Sequence, residues 1–431
     1  MQEISRRSLL VLAGAVTGAG VLAACGGVAG GGGNASGSIR YAFWGNDQRR
    51  ERYAEGLASL QEDYPDIDLN IEFADYGAFQ ERMTTQMAAG DVADIFWVPS
   101  PQVLTYHANG LYRRLDDLDS LDLSDFSDQD IEDFKLDGEY NTMPHGSSIP
   151  VVRYNHTFAE EDGVELPEDW SWDWIAEFAV DYTENNPHGR RALPFGAHFD
   201  LPFEGWLRQR GEDLWTEDGR PGFSEDGLAS WIEWWKNLLD AGATASISEQ
   251  DGVQVSWTDV GDDCLLWFGN SNHIVDEAPM YPDYEFRLRN LPIASDAVEG
   301  HQYLYFPRMA IYSGLEDDQA ELAGHVLTYC SSNVAMQQSV GLSMGVPPNP
   351  RVAQEYEEFA NDVELEMIRV VNHDREVPNR RPRYEAPPGS GTWRDVMERV
   401  LEEVTLGDTS VSEAAASMIE EVTRSIDRAA D

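Results

Sequence analysis

Ser38-Ile39-Arg40-Tyr41-Ala42-Phe43-Trp44 is a β-rich run that stops at Gly45-Asn46-Asp47, and the segments downstream of it decide the fold class. Tyr53, Leu57 and Leu60 recur at helical spacing until Tyr64-Pro65 ends the helix. Ile67-Asp68-Leu69-Asn70-Ile71-Glu72-Phe73 then alternates with a period of two, the pattern of a half-buried strand. A helical stretch from Gln80 to Ala89 closes at Gly90, and Asp94-Ile95-Phe96-Trp97-Val98 reads as a third, apolar strand. Strand alternating with helix implies right-handed crossovers and a parallel sheet, an α/β body. Ligands of such open sheets gather at the C-terminal ends of the strands. The loops of interest are therefore Gly45-Asn46-Asp47 and Pro99-Ser100-Pro101-Gln102.

Upstream, Ser5-Arg6-Arg7-Ser8-Leu9-Leu10 leads through an apolar run to Leu22-Ala23-Ala24-Cys25. The run from Leu9 to Ala24 is too short and too rich in Gly and Ala for a spanning helix, which needs roughly 20 strongly apolar residues. Ser-Arg-Arg-x-Leu-Leu resembles the twin-arginine export motif, and Leu-Ala-Ala-Cys resembles the lipobox at which lipoprotein precursors are cut. Residues 1–24 are read as the export signal and Cys25 as the lipid anchor, with a Gly-rich flexible tether over 25–37. About 390 residues remain, more than one hydrophobic core usually serves, which makes two lobes the default.

Thirty Lys+Arg face 78 Asp+Glu, for a net charge of −48, and Lys135 and Lys236 are the only lysines. Such a surface repels nucleic acid and anionic lipid, leaving the anchor as the expected membrane contact. Self-repulsion strains the compact state in dilute salt, and molar salt relieves it by shortening the Debye length to about 3 Å. The acidic excess resembles that of proteins from salt-in halophiles and implies an archaeal source. Cys264 sits in an apolar run and Cys330 at the end of a helical one, a setting for two buried thiols, although outside the cell they also allow one disulfide. The acidic run between Leu118 and Phe134 lacks the Gly and terminal Glu of a calcium loop and reads as a solvated face.

Collinear segments carry a family resemblance. Tyr41 to Trp44, Tyr64-Pro65-Asp66-Ile67, Met87-Ala88-Ala89-Gly90, Ala93-Asp94-Ile95, and Tyr106 through Gly110-Leu111 to Leu115-Asp116-Asp117 resemble the N-terminal lobe of the extracellular solute-binding proteins of ABC importers, the maltose-binding-protein-like group. Gly138 to Pro144 and Arg153-Tyr154-Asn155 resemble its first crossing between lobes. Pro167 with Trp170-Ser171-Trp172-Asp173-Trp174 resembles its Pro…Trp-Thr-Trp-Asp segment, and Gly341 to Pro347 and Trp393 onward complete the order. The resemblance covers essentially Ser38 to Asp431. It implies a two-lobed α/β fold of the type II periplasmic-binding-protein kind, each lobe a mainly parallel sheet flanked by helices. Residues 38–150 with 292–342 would form the N-terminal lobe, and 151–291 with 343–431 the C-terminal lobe.

The middle of the chain is unusually aromatic. Trp231, Trp234 and Trp235 stand at i, i+3 and i+4 in a helical stretch and are expected in the core, while Trp170 and Trp172 brace a helix start. Trp257 and Trp267 lie further along. Phe195 to Trp206 is broken by Gly and Pro and reads as a loop whose rings are available to a ligand. A pyranose lays its apolar C–H face on such a ring and needs paired donors and acceptors around its edge.

Carried over from the resemblance, the ligand contacts are Trp44, Asn46, Asp47, Ser100, Gln102, His145 and Ser148 on the first-lobe side. Phe203, Trp206, Asn270 and Asn272 belong to the second; Tyr303 and Tyr305 come from the return crossing, and Trp393 heads the C-terminal region. Trp44, a strand-end indole, is as readily core as cleft. The family's tryptophan after the glycine of its Gly-x-Ala-Met strand is replaced here by Gly269-Asn270-Ser271-Asn272, which leaves the ligand open. Arg375 to Pro388 reads as an irregular surface segment, and Val411 to Ile426 as a docked amphipathic helix.

No His-Glu-x-x-His, no Gly-x-Ser-x-Gly and no phosphate-cradling Gly-rich loop is present, so neither catalytic residues nor a cofactor or metal site is assigned. The resemblance implies a lipid-anchored monomer that captures a small molecule by lobe closure and delivers it to an ABC permease. Rings mixed with Asn, Gln and Ser fit a mono- or oligosaccharide. A polyamine remains open through Asp47, Asp200 and Glu204, as does a surface-anchored glycoside hydrolase.

Overall fold

The computed structural model describes residues 37–126, 128–136, 138–245 and 263–430. The export signal, Cys25, the tether up to residue 36 and Trp257 lie outside them. Among the described residues, eight strands form two sheets. Strands β1 (Gly37–Trp44), β2 (Ile67–Ala74), β3 (Ile95–Val98), β4 (Met143–Pro144) and β8 (Arg308–Ile311) make the first, in the order β2-β1-β3-β8-β4. Strands β5 (Pro150–Asn155), β6 (Leu266–Asn270) and β7 (Phe286–Asn290) make the second, in the order β6-β5-β7.

In the first sheet β1 runs parallel to β2 and β3, with Ile39 opposite Leu69 and Tyr41 opposite both Ile71 and Ile95. The returning β8 is antiparallel to β3 and β4. Two helices supply the crossovers, and each begins where the sequence provides a cap. The Asn46 side chain accepts from Arg49 N ahead of helix Asp47–Asp63, and Asp75 accepts from Ala78 N ahead of helix Tyr76–Ala89. Gly90 ends the second helix at φ 67°, which a residue without Cβ adopts at no steric cost. The second sheet departs from the expected mainly parallel pairing: β5 is antiparallel to both neighbours. Its partners come from far along the chain, so no short strand–helix–strand unit fixes their direction.

Each sheet has its own core. Tyr41, Phe43, Ile95 and Trp97 face helix Asp317–Ser332 in the first lobe. In the second, Trp231 and Trp235 are fully buried with Phe268, Val400 and Met418, as their helical spacing predicts. Each indole removes roughly 200 Å² from water, an upper estimate of about 5 kcal/mol at ~25 cal/mol per Å². Helix Val411–Ala430 docks through Ala415, Met418, Val422 and Ile426. Cys264 and Cys330 are both buried and do not form a disulfide.

The chain passes between the sheets after Pro144, after Asn290 and again beyond Gly341, and these crossings pair side by side. Ser148 and Tyr305 exchange backbone hydrogen bonds of 2.9 and 2.8 Å, and Ser147 and Val346 exchange bonds of 2.7 and 2.9 Å. Residues 376–388 are irregular and exposed at Glu376, Pro378, Asn379 and Pro382, as expected of a surface segment, but from 383 to 388 the stretch turns partly inward. The Arg383 and Glu385 side chains are only 13% and 10% exposed, because Glu204 and Arg308 neutralise them.

Candidate functional site

Because β1, β2 and β3 are parallel, their C-terminal ends share one edge, and the chain there presents Trp44, Asp75-Tyr76 and Pro99-Ser100. Trp44 is half-buried, its ring 5.4 Å from Tyr76, 5.2 Å from Phe79 and 5.1 Å from Trp97. Tyr76 extends this aromatic wall and is 42% exposed. Asn46 and Asp47 are exposed and occupied with the helix start, Asn46 as its cap and Asp47 paired with Arg50 at 3.4 Å. Ser100 and Gln102 lie half-buried in a 3₁₀ turn.

The crossings contribute His145, Ser148 and Tyr305, and Asn272 follows β6 just ahead of helix His273–Glu277. Ser148 Oγ donates to Asn272 Oδ1 at 3.1 Å, and Asn272 Nδ2 donates to Ser343 O at 2.8 Å, so both polar groups tie the crossings together. Tyr305 is half-buried, and its hydroxyl is pushed up chiefly by burial and pulled back by a hydrogen bond with the Ser100 side chain. Tyr303 is buried and donates to Leu201 O at 2.8 Å. Asn270 ends β6 half-buried, opposite Pro150.

The expected loop over 195–206 is helical from Asp200 onward, in helix Asp200–Gln209. That turns Phe203 and Trp206 into the core at 0% and 5% exposure, Phe203 stacked on Trp393 at 5.7 Å and Trp206 against Trp172 and Trp231. Trp393 is itself 5% exposed, so these rings pack with one another. The side chains left toward solvent beside these rings are Asp200 and Arg394, joined at 2.8 Å. Burial first, opposed by Arg394 and reinforced by Asp200, holds the Tyr76 hydroxyl above its ordinary pKa. The strand-end edge lies against the later part of the chain at one place, where the turn Ser100–Gln102 packs on the turn Ser390–Thr392 that leads into Arg394. Tyr76 is legible by the strand-end rule that selects Trp44 and Ser100; Arg394 carries no such signal.

Three imidazoles stand in this region. Burial, reinforced by Arg49, lowers the His145 pKa to about 3, and burial with Arg394 lowers that of His198 to about 4. His273 is lowered by burial, then by Arg153, Arg49 and Arg394. The unfolded chain takes up these protons near pH 6.5 and the folded chain does not, so stability is intact above that pH and falls as pH drops below it. For His145 the loss is about 1.4 kcal/mol at pH 5.5, and His145→Gln should flatten the pH dependence of urea unfolding between pH 7.5 and 5.5 by that amount. An unchanged slope would remove the buried neutral imidazole from the account.

A groove of about 890 Å³ opens elsewhere, between Arg52, Ser339, Phe286, Tyr356 and Glu364. It contains none of the strand-end residues, and its Tyr356 hydroxyl is already bonded to Glu364 at 2.7 Å. Among the described residues no group of three or more His, Cys, Asp or Glu could hold a metal ion, and no helix is long and apolar enough to cross a membrane.

Solved structures share this architecture. A periplasmic solute-binding protein from Pectobacterium atrosepticum superposes with a TM-score of 0.79 at 18% identity, over 91% of this chain and 99% of that one. A periplasmic oligogalacturonide-binding protein from Yersinia enterocolitica, in complex with saturated digalacturonic acid, gives 0.77 at 16% identity over 91% and 100%. The GacH receptor of Streptomyces glaucescens, solved unliganded and with acarbose, gives 0.71 at 19% identity over 91% and 99%. A Brucella abortus (strain 2308) relative named as a binding protein is 23% identical over 201 residues, 44% of this chain and 47% of that protein. The chain thus spans about half the length of the curated relatives it matches. A family model described as bacterial extracellular solute-binding protein matches residues 57–367, from within helix Asp47–Asp63 to within helix Asp362–Arg375, and the chain belongs to that family.

Proposed function

We propose that this protein is a lipid-anchored receptor that encloses a small neutral carbohydrate between its lobes, 38–150 with 292–342 and 151–291 with 343–431, and hands it to an ABC import permease without chemical change. The observation that carries the reading is the aromatic wall of Trp44 and the 42% exposed Tyr76 at the strand-end edge, beside which the turn Ser100–Gln102 packs on the turn Ser390–Thr392: a ring for an apolar sugar face with polar groups next to it. The three paired crossings supply a hinge about which closure would make contacts that exist in one state only. Cys25 supplies the anchor on the outer side of the membrane.

A cationic ligand is disfavoured by the same geometry. Glu204 is held by Arg383 at 3.0 Å and Asp200 by Arg394 at 2.8 Å, while Asp47 is exposed beside Arg50. The carboxylates a polyamine needs are already neutralised. The Yersinia protein is solved with saturated digalacturonic acid and the Streptomyces protein with acarbose, which agrees with a carbohydrate ligand.

A thermal-shift screen in molar salt tests it. A neutral mono- or disaccharide at 100 times its Kd adds about 2.7 kcal/mol to unfolding and raises Tm, while spermidine leaves Tm unchanged. A shift with polyamines and none with any sugar would overturn the proposal, and turnover of a glycoside would replace it with an enzyme.

A further inference from the structure

Two adjacent carboxylates on the short helix His273–Glu277, which follows β6, take partners on different sides of the molecule. Glu277 turns to its own sheet: Arg153 of β5 donates to it at 2.6 Å, and both side chains are at most 1% exposed. Asp276 reaches out of that sheet. Arg49, in the first turn of helix Asp47–Asp63 behind β1, donates to its Oδ2 at 2.5 Å, and Arg52, one turn further on, stands 3.8 Å from its Oδ1. The Arg49 and Asp276 side chains are 10% and 2% exposed, so a desolvated ion pair joins an element of the first sheet to one of the second. Gly45 leaves the arginine its path, since a Cβ there would lie 2.6 Å from Arg49 Cδ.

The surroundings suit a contact that is made and broken. The apolar residues of the two helices belong to different cores, Tyr53, Leu57 and Leu60 to one and Ile274 and Val275 to another. The groove of about 890 Å³ opens beside the pair, lined by both Arg52 and Val275. Asn272, next to this helix, is bonded to Ser148 and Ser343 of the crossings, so a rotation about the crossings moves Asp276 with it. The attraction of a buried pair roughly offsets the hydration its ions give up, which leaves a small balance that parting can reverse. We propose that Arg49 and Asp276 form a latch that holds the two halves of the unliganded chain in the observed arrangement, with Arg153 and Glu277 as its mount. Without the Asp276 charge two guanidiniums face the short helix with no anion between them, and they regain water by parting the halves. On the receptor reading above, the latch would set what fraction of the chain stands in each arrangement before any ligand arrives.

Small-angle X-ray scattering of the mature full-length protein, without ligand and in molar salt, reads the arrangement directly. Asp276→Asn should raise the radius of gyration by about 1 Å from the roughly 21 Å of a compact body of this size. Arg49→Met leaves Asp276 the more distant Arg52, so it should shift the radius less in the same direction, and it carries the test if Asp276→Asn folds poorly. Arg49→Met combined with Asp276→Leu puts an apolar contact in place of the ions and should return the radius to that of the unaltered protein. Glu277→Gln should lower the urea midpoint and leave the radius unchanged, a split that general loosening would not produce. A radius unmoved by Asp276→Asn or, where that variant does not fold, by Arg49→Met overturns the latch, and so does an equal rise in Glu277→Gln. Neither result touches the carbohydrate reading, which the thermal-shift screen decides separately.

Discussion

Gly146→Ala should destabilise the protein by more than about 3 kcal/mol, read as a lower urea midpoint at constant salt. A Cβ at Gly146 would lie 1.8 Å from the carbonyl oxygen of Met344 and 2.4 Å from its carbon. Neither atom belongs to a flexible side chain, so the clash is relieved only by separating the first crossing from the third. Separation breaks the reciprocal Ser147–Val346 hydrogen bonds, each worth about 1 kcal/mol when buried. Gly345 closes the contact from the other side: its φ is 116°, and a Cβ there would meet Ser147 O at 2.5 Å. Gly345→Ala should therefore cost at least as much. The control is Gly391→Ala, where nothing lies within 4 Å of the added carbon and a change within about 0.5 kcal/mol is expected. A Gly146→Ala midpoint equal to that of the control would mean that the crossings do not touch as described.

These glycines show where sequence reading stops. The first lobe is legible because its signals are local: period-two alternation in Ile67 to Phe73, caps at Asn46 and Asp75, and the left-handed stop at Gly90. Helix Asp200–Gln209 escapes such a reading because Pro202 and Gly205 look like breakers. Pro202 is the third helical residue, where its missing N–H would have had no partner within the helix. Gly205 is a packing glycine, since a Cβ there would lie 2.4 Å from Leu291 Cδ1. Once that stretch is helix, Phe203 and Trp206 must turn inward, and Asp200 stays outside, paired with an Arg394 that is brought to it by the fold rather than by a spacing. The antiparallel second sheet is hidden for the same reason, its pairs being far apart in the chain.

Arg383→Met is expected to cost 3–5 kcal/mol, roughly the penalty for leaving a buried charge without its partner. Arg383 sits mid-chain in a run of alternating charges that joins the two lobes. Arg308 of β8 meets Glu385 at 3.3 Å, Glu385 meets Arg383 at 3.1 Å, and Arg383 meets Glu204 of helix Asp200–Gln209 at 3.0 Å. All four side chains are at most 13% exposed, and the Tyr303 and Tyr305 rings lie 5.5 and 5.6 Å from the central guanidinium. Removing Arg383 leaves Glu385 with Arg308 alone, and Glu204 without a bonded cation in a desolvated setting, where only the more distant charge of Arg208 still favours its ionised form. Burial already holds the Glu204 carboxyl above its usual pKa with Arg383 opposing it, and without that opposition it rises further. The folded variant then binds a proton more readily than the unfolded chain. Its deficit should shrink as pH falls toward 5 and widen as pH rises, and adding Glu204→Gln should recover part of the loss at neutral pH. Arg399→Met breaks a surface pair with Glu403 in which both side chains are over 40% exposed, and should cost no more than about 0.5 kcal/mol. Equal costs for Arg383→Met and Arg399→Met in urea unfolding at fixed salt would show that the charge run is solvated rather than a buried tie between the lobes.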